Sequence, residues 1–218
     1  MMKLLGSFLK KKRTNRFYGK KKSVPFLRYK SMSGDFNKVK CELYDTIGVA
    51  GTSDRFTFQN NSQQYMPLVT VLSTSSSFAE YYPDYVRYKI TGVRIDLSNC
   101  NSPEHLRTIF TYGAPGCAVA FYPQNTTQSM ADAPRNKDNN LVVFPNVTSV
   151  QSKYWNVPDS LIDTGAGGLG TWNSTNNWSS QTGQLHLAPL ETGNNAASSI
   201  NVFLIRIIVY VTFSTKID

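Results

Sequence analysis

In the stretch VFLIRIIVYVTFST (202–215), Phe203, Ile205, Ile207, Val209, Val211 and Phe213 fall at every second position. Successive side chains on a β-strand point to opposite faces, so this spacing predicts one strand with a continuous apolar face. Its other face carries Arg206, Tyr210, Thr212 and Ser214.

The same alternation recurs upstream. KVKCELYDTI (38–47) alternates roughly, and DRFTF (54–58) places Phe56 and Phe58 two apart. YVRYKITGVRIDL (85–97) has Val86, Tyr88 and Ile90 at even positions but Val93, Ile95 and Leu97 at odd ones. The phase slips at Thr91-Gly92, and a bulge at Gly92 would restore a single core face. Further strands are predicted at 117–123, 140–150, 153–157 and 183–190. SSSFAEYYPDY (75–85) offers a Ser cap and one helical turn, which Pro83 stops. Residues 159–182 and 191–199 are rich in Gly, Asn, Ser and Thr and read as long surface loops. Eight or so strands with almost no helix predict an all-β fold, a single jelly roll or two-sheet antiparallel β-sandwich.

Charge changes the picture. The 218 residues carry a net +9, unevenly spread. Residues 1–40 hold 13 Lys/Arg against one acid, Asp35, whereas residues 41–218 hold 10 against 13. A mildly acidic body therefore follows a cationic arm, and the expected division is an arm over 1–37 and a jelly-roll domain over 38–218. Like charges at this density favour disorder in the free arm, apart from a short helix over Leu5, Phe8, Leu9 and Lys12.

Within the arm, Lys10, Lys11, Lys12, Arg13, Arg16, Lys20, Lys21, Lys22, Arg28 and Lys30 run without one acid, interleaved with Phe17, Tyr18, Phe26 and Tyr29. Cations neutralise phosphates and release counterions, and aromatic rings give bases a stacking surface. Lys10–Arg13 and Lys20–Lys22 also fit the basic clusters of a nuclear import signal. A solvated tail, a membrane-surface segment and a transit peptide explain the pattern less well. The apolar stripe is short, and Lys outnumbers Arg. A weaker basic set is Arg87, Lys89 and Arg206, placed on outward strand faces. Cross-strand pairing to Asp or Glu is the competing account of that set.

Little else carries chemistry. GAGGLG (165–170) has the form GxGxxG, but TWNSTNNWSS after it is a poor helix, so it reads as a loop. His105 sits in NSPEHLRT, read as a loop or strand entry, and His186 shares a strand face with Gln184. Neither has a partner at ligand spacing, and no GxSxG occurs. No catalytic residue, metal ligand or cofactor is expected. Cys41, Cys100 and Cys117 are an odd number with no CxxC pair, which argues against a disulfide framework and for a reducing compartment. The most apolar run, 202–213, is short and contains Arg206, so stable membrane insertion is not expected. The opening LLGSFL is too short for the apolar part of a signal peptide. Asn-x-Ser/Thr matches at Asn60, Asn125, Asn146, Asn173 and Asn177 are read as by-products of polar loops.

FAEYYPDYVRYKITGVRIDL (78–97) and IRIIVYVTFST (205–215), with the basic arm ahead of them, resemble capsid proteins of small circular single-stranded DNA viruses. This is the circovirus-like group that encodes a rolling-circle replication protein. An aromatic-rich turn leads there into a long strand, and a Y-V-T-F strand closes the body. The arm here is Lys-rich where circoviruses proper favour Arg.

The resemblance implies a homo-oligomeric icosahedral shell, T=1, found in the virion and in the host nucleus during assembly. It places the arm inside on a single-stranded DNA genome and implies no enzyme activity. Lys10–Arg13, Arg16 and Lys20–Lys22 would take the DNA-binding and import roles, with host import receptors and a cell-surface receptor as further partners. The shell of a small RNA virus shares the same features. A cellular β-sandwich carbohydrate binder using Trp155, Trp172 or Trp178 is the reading from another class.

Overall fold

The computed structural model describes residues 36–49, 55–110, 115–123, 133–145, 149–157, 169–180, 183–191 and 199–216. All belong to the compact unit Gly34–Asp218. The expectations for the arm's cations, aromatics and short helix lie outside the described residues, as do residues 165–168 of the glycine motif.

In chain order the elements are β1 (Asn37–Val49), β2 (Phe56–Phe58), β3 (Tyr65–Pro67), α1 (Leu68–Thr74), α2 (Ser76–Tyr81), β4 (Tyr85–Asn99), α3 (Pro103–Ile109) and β5 (Cys117–Tyr122). They continue with α4 (Ala133–Asn136), β6 (Leu141–Val143), β7 (Gln151–Asn156), β8 (Asn173–Ser174), β9 (Gln184–Pro189) and β10 (Ile200–Lys216). The larger sheet runs β2-β1-β10-β4-β7, with β8 also on β4, and the smaller runs β3-β9-β5-β6. Every pairing between these strands is antiparallel. The chain crosses repeatedly between the sheets, and its first and last long strands lie side by side. That connectivity is a jelly roll.

The core lies between the sheets. Phe203, Ile205, Ile207, Val209, Val211 and Phe213 of β10 are all buried, as the spacing predicts. They share the inner face of the larger sheet with Val39, Cys41, Leu43 and Ile47 of β1 and Tyr88, Ile90, Val93, Ile95 and Leu97 of β4. The slip in β4 is a bulge: Tyr210 pairs with Gly92 and Val211 with Ile90, leaving Thr91 as the extra residue. Gly92 is needed beside it, because a Cβ there would lie 2.2 Å from the Tyr154 hydroxyl.

One end of the sandwich is closed by Phe78. Its ring centroid lies 5.6–5.8 Å from those of Tyr82, Tyr88, Trp178 and Phe213. Ser75 starts the α2 turn as predicted, its hydroxyl accepting the Phe78 N–H at 3.4 Å.

Several expectations are corrected. β6 covers only Leu141–Val143 of the strand expected over 140–150. Helix α1 and strand β3 were not read from the sequence. Thr70 and two Val favour strand, yet Leu68, Val71 and Leu72 sit at helical spacing and all three are buried. NSPEHLRT holds helix α3, where Ser102 accepts the His105 N–H at 3.2 Å and Pro103 occupies the first turn. The loop expected over 159–182 contains β8 and a 3₁₀ turn over Thr175–Ser180. Val86 is exposed and Tyr85 buried in its place. Opposite them the backbone of Thr215 is left-handed, with φ 63, which breaks the pleat of β10.

Candidate nucleic-acid interface

The outward face of the larger sheet carries Lys38, Lys40, Arg87, Lys89, Arg94 and Arg206. Residues paired across an antiparallel ladder point to the same side, so the register assigns them to rows. One row reads Lys38–Thr212–Lys89, and the next Lys40–Tyr210–Gly92–Asn156. A third holds Ser214, Arg87 and Ser174. None of these residues is acidic.

Aromatic rings border the same rows. Phe36, just before β1, and Trp172, just before β8, approach across the face with centroids 5.8 Å apart and planes 31° apart. Phe36 is 55% exposed and Trp172 39% exposed. The Lys89 ammonium lies 5.1 Å from the centre of the Trp172 ring, and that of Lys40 lies 6.0 Å from the Tyr210 ring. Tyr154 meets Tyr210 edge-on at 5.7 Å. The chain enters the described body at Phe36, within this cluster.

Further along the face the charges are balanced. Tyr44–Arg206–Asp96–Ser152 forms one row. The Arg206 guanidinium donates to both oxygens of Glu42, at 2.7 and 3.2 Å, and lies 3.9 Å from Asp96. Arg94 donates to Asp96 at 2.8 Å, as does the Ser152 hydroxyl at 2.6 Å. Hydrogen bonding from Arg206 holds the Glu42 carboxyl below its ordinary range. Partial burial pushes against ionisation of Asp96, but the Ser152 and Arg94 hydrogen bonds and two nearby guanidiniums outweigh it.

The structure therefore divides the basic set read from the sequence. Arg87 and Lys89 sit together in the rows without acid. Arg206 does not join them: Thr212, opposite Lys89, is six residues along β10, or about 20 Å, and its charge is met by Glu42 and Asp96. Lys38 and Lys40 complete the cationic rows. Sequence reasoning put them in the strand over 38–47 but not among the binding candidates, although their alternation with Val39 and Cys41 already put them on the outward face.

The remaining candidates fall elsewhere. Trp155 is buried and donates its indole N–H to the Asn139 carbonyl at 2.9 Å. Trp178 packs on the core. Of the three tryptophans offered for glycan binding, Trp172 is the exposed one. His105 lies on the exposed side of α3. His186 is buried on the outer side of the smaller sheet, its Nε2 2.9 Å from Gln184 Oε1 and its ring beside Tyr65 and Tyr122. Burial, with Lys137 nearby, pushes its pKa down to about 4. Burial pushes the Cys41 thiol up to about 12 and that of Cys117 higher still. Among the described residues no group of His, Cys, Asp and Glu is placed to hold a metal ion.

No family model matches the chain, and no curated protein matches it. Solved structures do match in fold. The Mud crab tombus-like virus structure aligns with a TM-score of 0.53 and 11% identity, over 85% of this chain and 92% of that one. A T=1 subviral particle of a Penaeus vannamei nodavirus capsid protein deletion mutant gives 0.53 and 8%, over 83% and 98%. Cocksfoot mottle virus gives 0.53 and 5%, over 84% and 97%. The fold is the single jelly roll of viral capsid structures.

Proposed function

We propose that this protein is a viral capsid protein that self-assembles into an icosahedral shell and packages nucleic acid through the basic segment 1–37. The observation that carries the proposal is a capsid jelly roll joined to a segment with 11 cations and one acid. A body with a slight excess of acid suits subunit contacts. The segment ahead of it suits a polyanion, by contacts that are blind to sequence and sensitive to salt.

Lys10–Arg13, Arg16, Lys20–Lys22, Arg28 and Lys30 neutralise phosphates in this reading, with Phe17 and Tyr18 against bases. Single-stranded DNA is the cargo that the resemblance favours, with Lys10–Arg13 and Lys20–Lys22 as the import signal of the free subunit. The matched folds come from viruses of several kinds, so an RNA cargo accounts for the fold equally well. The shell is T=1, its place is the virion, and its role is structural rather than enzymatic.

Electron microscopy of the expressed protein, with absorbance ratios and sequencing of the nucleic acid recovered from particles, tests this reading. Closed particles holding nuclease-protected nucleic acid are expected, and sequencing separates DNA from RNA. A protein that stays monomeric under every assembly condition would refute the shell. Binding that ignores salt would refute the arm's role.

A further inference from the structure

The packaging reading assigns nucleic acid to the arm and leaves the outward face of the larger sheet without a role. We infer that this face is a second contact, which takes unpaired bases by stacking on Phe36 and Trp172 while Lys38, Lys40, Arg87 and Lys89 hold the flanking phosphates. The inference rests on the packaging reading and narrows it: the ligand at this face is single-stranded.

Three observations combine. First, Phe36 and Trp172 lean together over the sheet, 5.8 Å apart, yet remain 55% and 39% exposed. Rings with that much free surface beside cations form the platform that unpaired bases use. Second, the cations are arranged around the rings. Lys38 and Lys89 flank Thr212 in one row, and Arg87 lies beside Ser214 in the next. Lys38 and Lys89 are two strand spacings apart, about 10 Å, with small hydroxyl residues forming the floor between them. Third, the acid-free rows end where Glu42 and Asp96 begin to balance Arg94 and Arg206. A strand of phosphates is favoured at one end of the face and not at the other. A duplex keeps its bases stacked inside and offers none to Phe36 or Trp172, so it gains only the cation term.

The test uses the full chain, kept as free subunits, with a thymidine oligonucleotide of about 20 nucleotides, a duplex of the same length and a neutral oligosaccharide. Raised salt weakens the phosphate contacts, including those of the arm, so that stacking is read more directly. Single-strand binding should quench tryptophan emission, and Trp172→Ala and Phe36→Ala should each weaken it about tenfold. The salt slope should stay unchanged in both variants. Trp172→Phe keeps a ring and should restore most of the affinity. Lys38→Gln and Arg87→Gln should each lower the salt slope by about 0.7. Unchanged single-strand affinity in both alanine variants would overturn the inference, and so would equal loss of duplex binding or quenching by the oligosaccharide instead. In each of those cases salt-dependent binding by the wild-type chain leaves the packaging reading intact. A wild-type chain that binds no oligonucleotide at any salt would sink both.

Discussion

Acid should destabilise the folded chain through His186, and the size of the effect follows from its surroundings. The side chain is 5% exposed, between Tyr65 on β3 and Tyr122 on β5, with Gln184 accepting from Nε2. The charged groups facing it come from the α4 side of the sheet, where Lys137 lies 4.0 Å from the centre of the Tyr122 ring. Burial and that ammonium disfavour the imidazolium, taking the pKa from 6.5 to about 4. Above the unfolded value both states are neutral and His186 contributes no pH dependence. Between the two values the unfolded chain binds a proton that the folded chain refuses, so stability falls with pH. Below the folded value the loss is complete. Linkage puts the loss at about 2 kcal/mol by about pH 5 and about 3 kcal/mol by about pH 4.

Other groups titrate nearby, so the comparison must be with a variant. Asp45 is partly buried and its pKa is raised, so acid relieves a penalty there and works in the opposite direction. Glu42 and Asp96 are held low, so their contributions are intact at about pH 5 and above and are lost as pH falls below the ordinary carboxylate range. His186→Gln keeps an amide beside Gln184 and removes the titration. Urea unfolding of the monomeric chain, followed by tryptophan emission at about pH 7.5 and about pH 5, should show the wild type losing about 2 kcal/mol more than the variant. Parallel pH profiles, or a His186 titration by NMR near its ordinary value, would refute the argument.

The remaining predictions concern packing, charge and thiols. Phe78→Ala should cost about 3–5 kcal/mol in urea unfolding, because four rings close around that side chain. Gly92→Val should push Tyr154 off Tyr210 and lower stability by about 1–3 kcal/mol, with a loss of near-ultraviolet circular dichroism. Arg206→Ala should leave stability in urea unfolding nearly unchanged, since its ion pairs lie at the solvent-facing surface, and should leave oligonucleotide affinity unchanged. A thiol reagent should label half-buried Cys100 first, reaching Cys41 and Cys117 only as the subunit unfolds; early labelling of Cys117 would contradict its burial.

The long strands were legible because each has one apolar face with a strict period. β10 needs no correction, and the slip in β4 was visible from Thr91-Gly92 alone. The short elements were not legible, for a physical reason. Three-residue strands such as β3 and β6 are too brief to show a period and are fixed by the strands beside them. Helix α1 is spelled with β-branched residues, and only its tertiary position on the core selects the helix. Helix α3 did carry its cap and its proline in the sequence. The cationic face was half legible. Arg87 and Lys89 could be assigned to an outward face, but which strand lies beside which decides whether Arg206 joins them. No local pattern places Glu42 next to a residue 164 positions away.

The division of the outward face bears on what the cations are for. Like charges on one sheet face repel, and the remedy seen around Arg206 is to place carboxylates in the adjacent positions. The rows holding Lys38, Lys40, Arg87 and Lys89 use no carboxylate. Solubility alone favours charges of both signs interspersed, which is the arrangement a few residues along the same strands. Glu42 lies next to Lys40 along β1, and an excess of positive charge beyond it is stabilised further when an external anion approaches. The exposed Phe36 and Trp172 rings border these same rows. The salt slopes of Lys38→Gln and Arg87→Gln measure the share of nucleic-acid binding that belongs to this face.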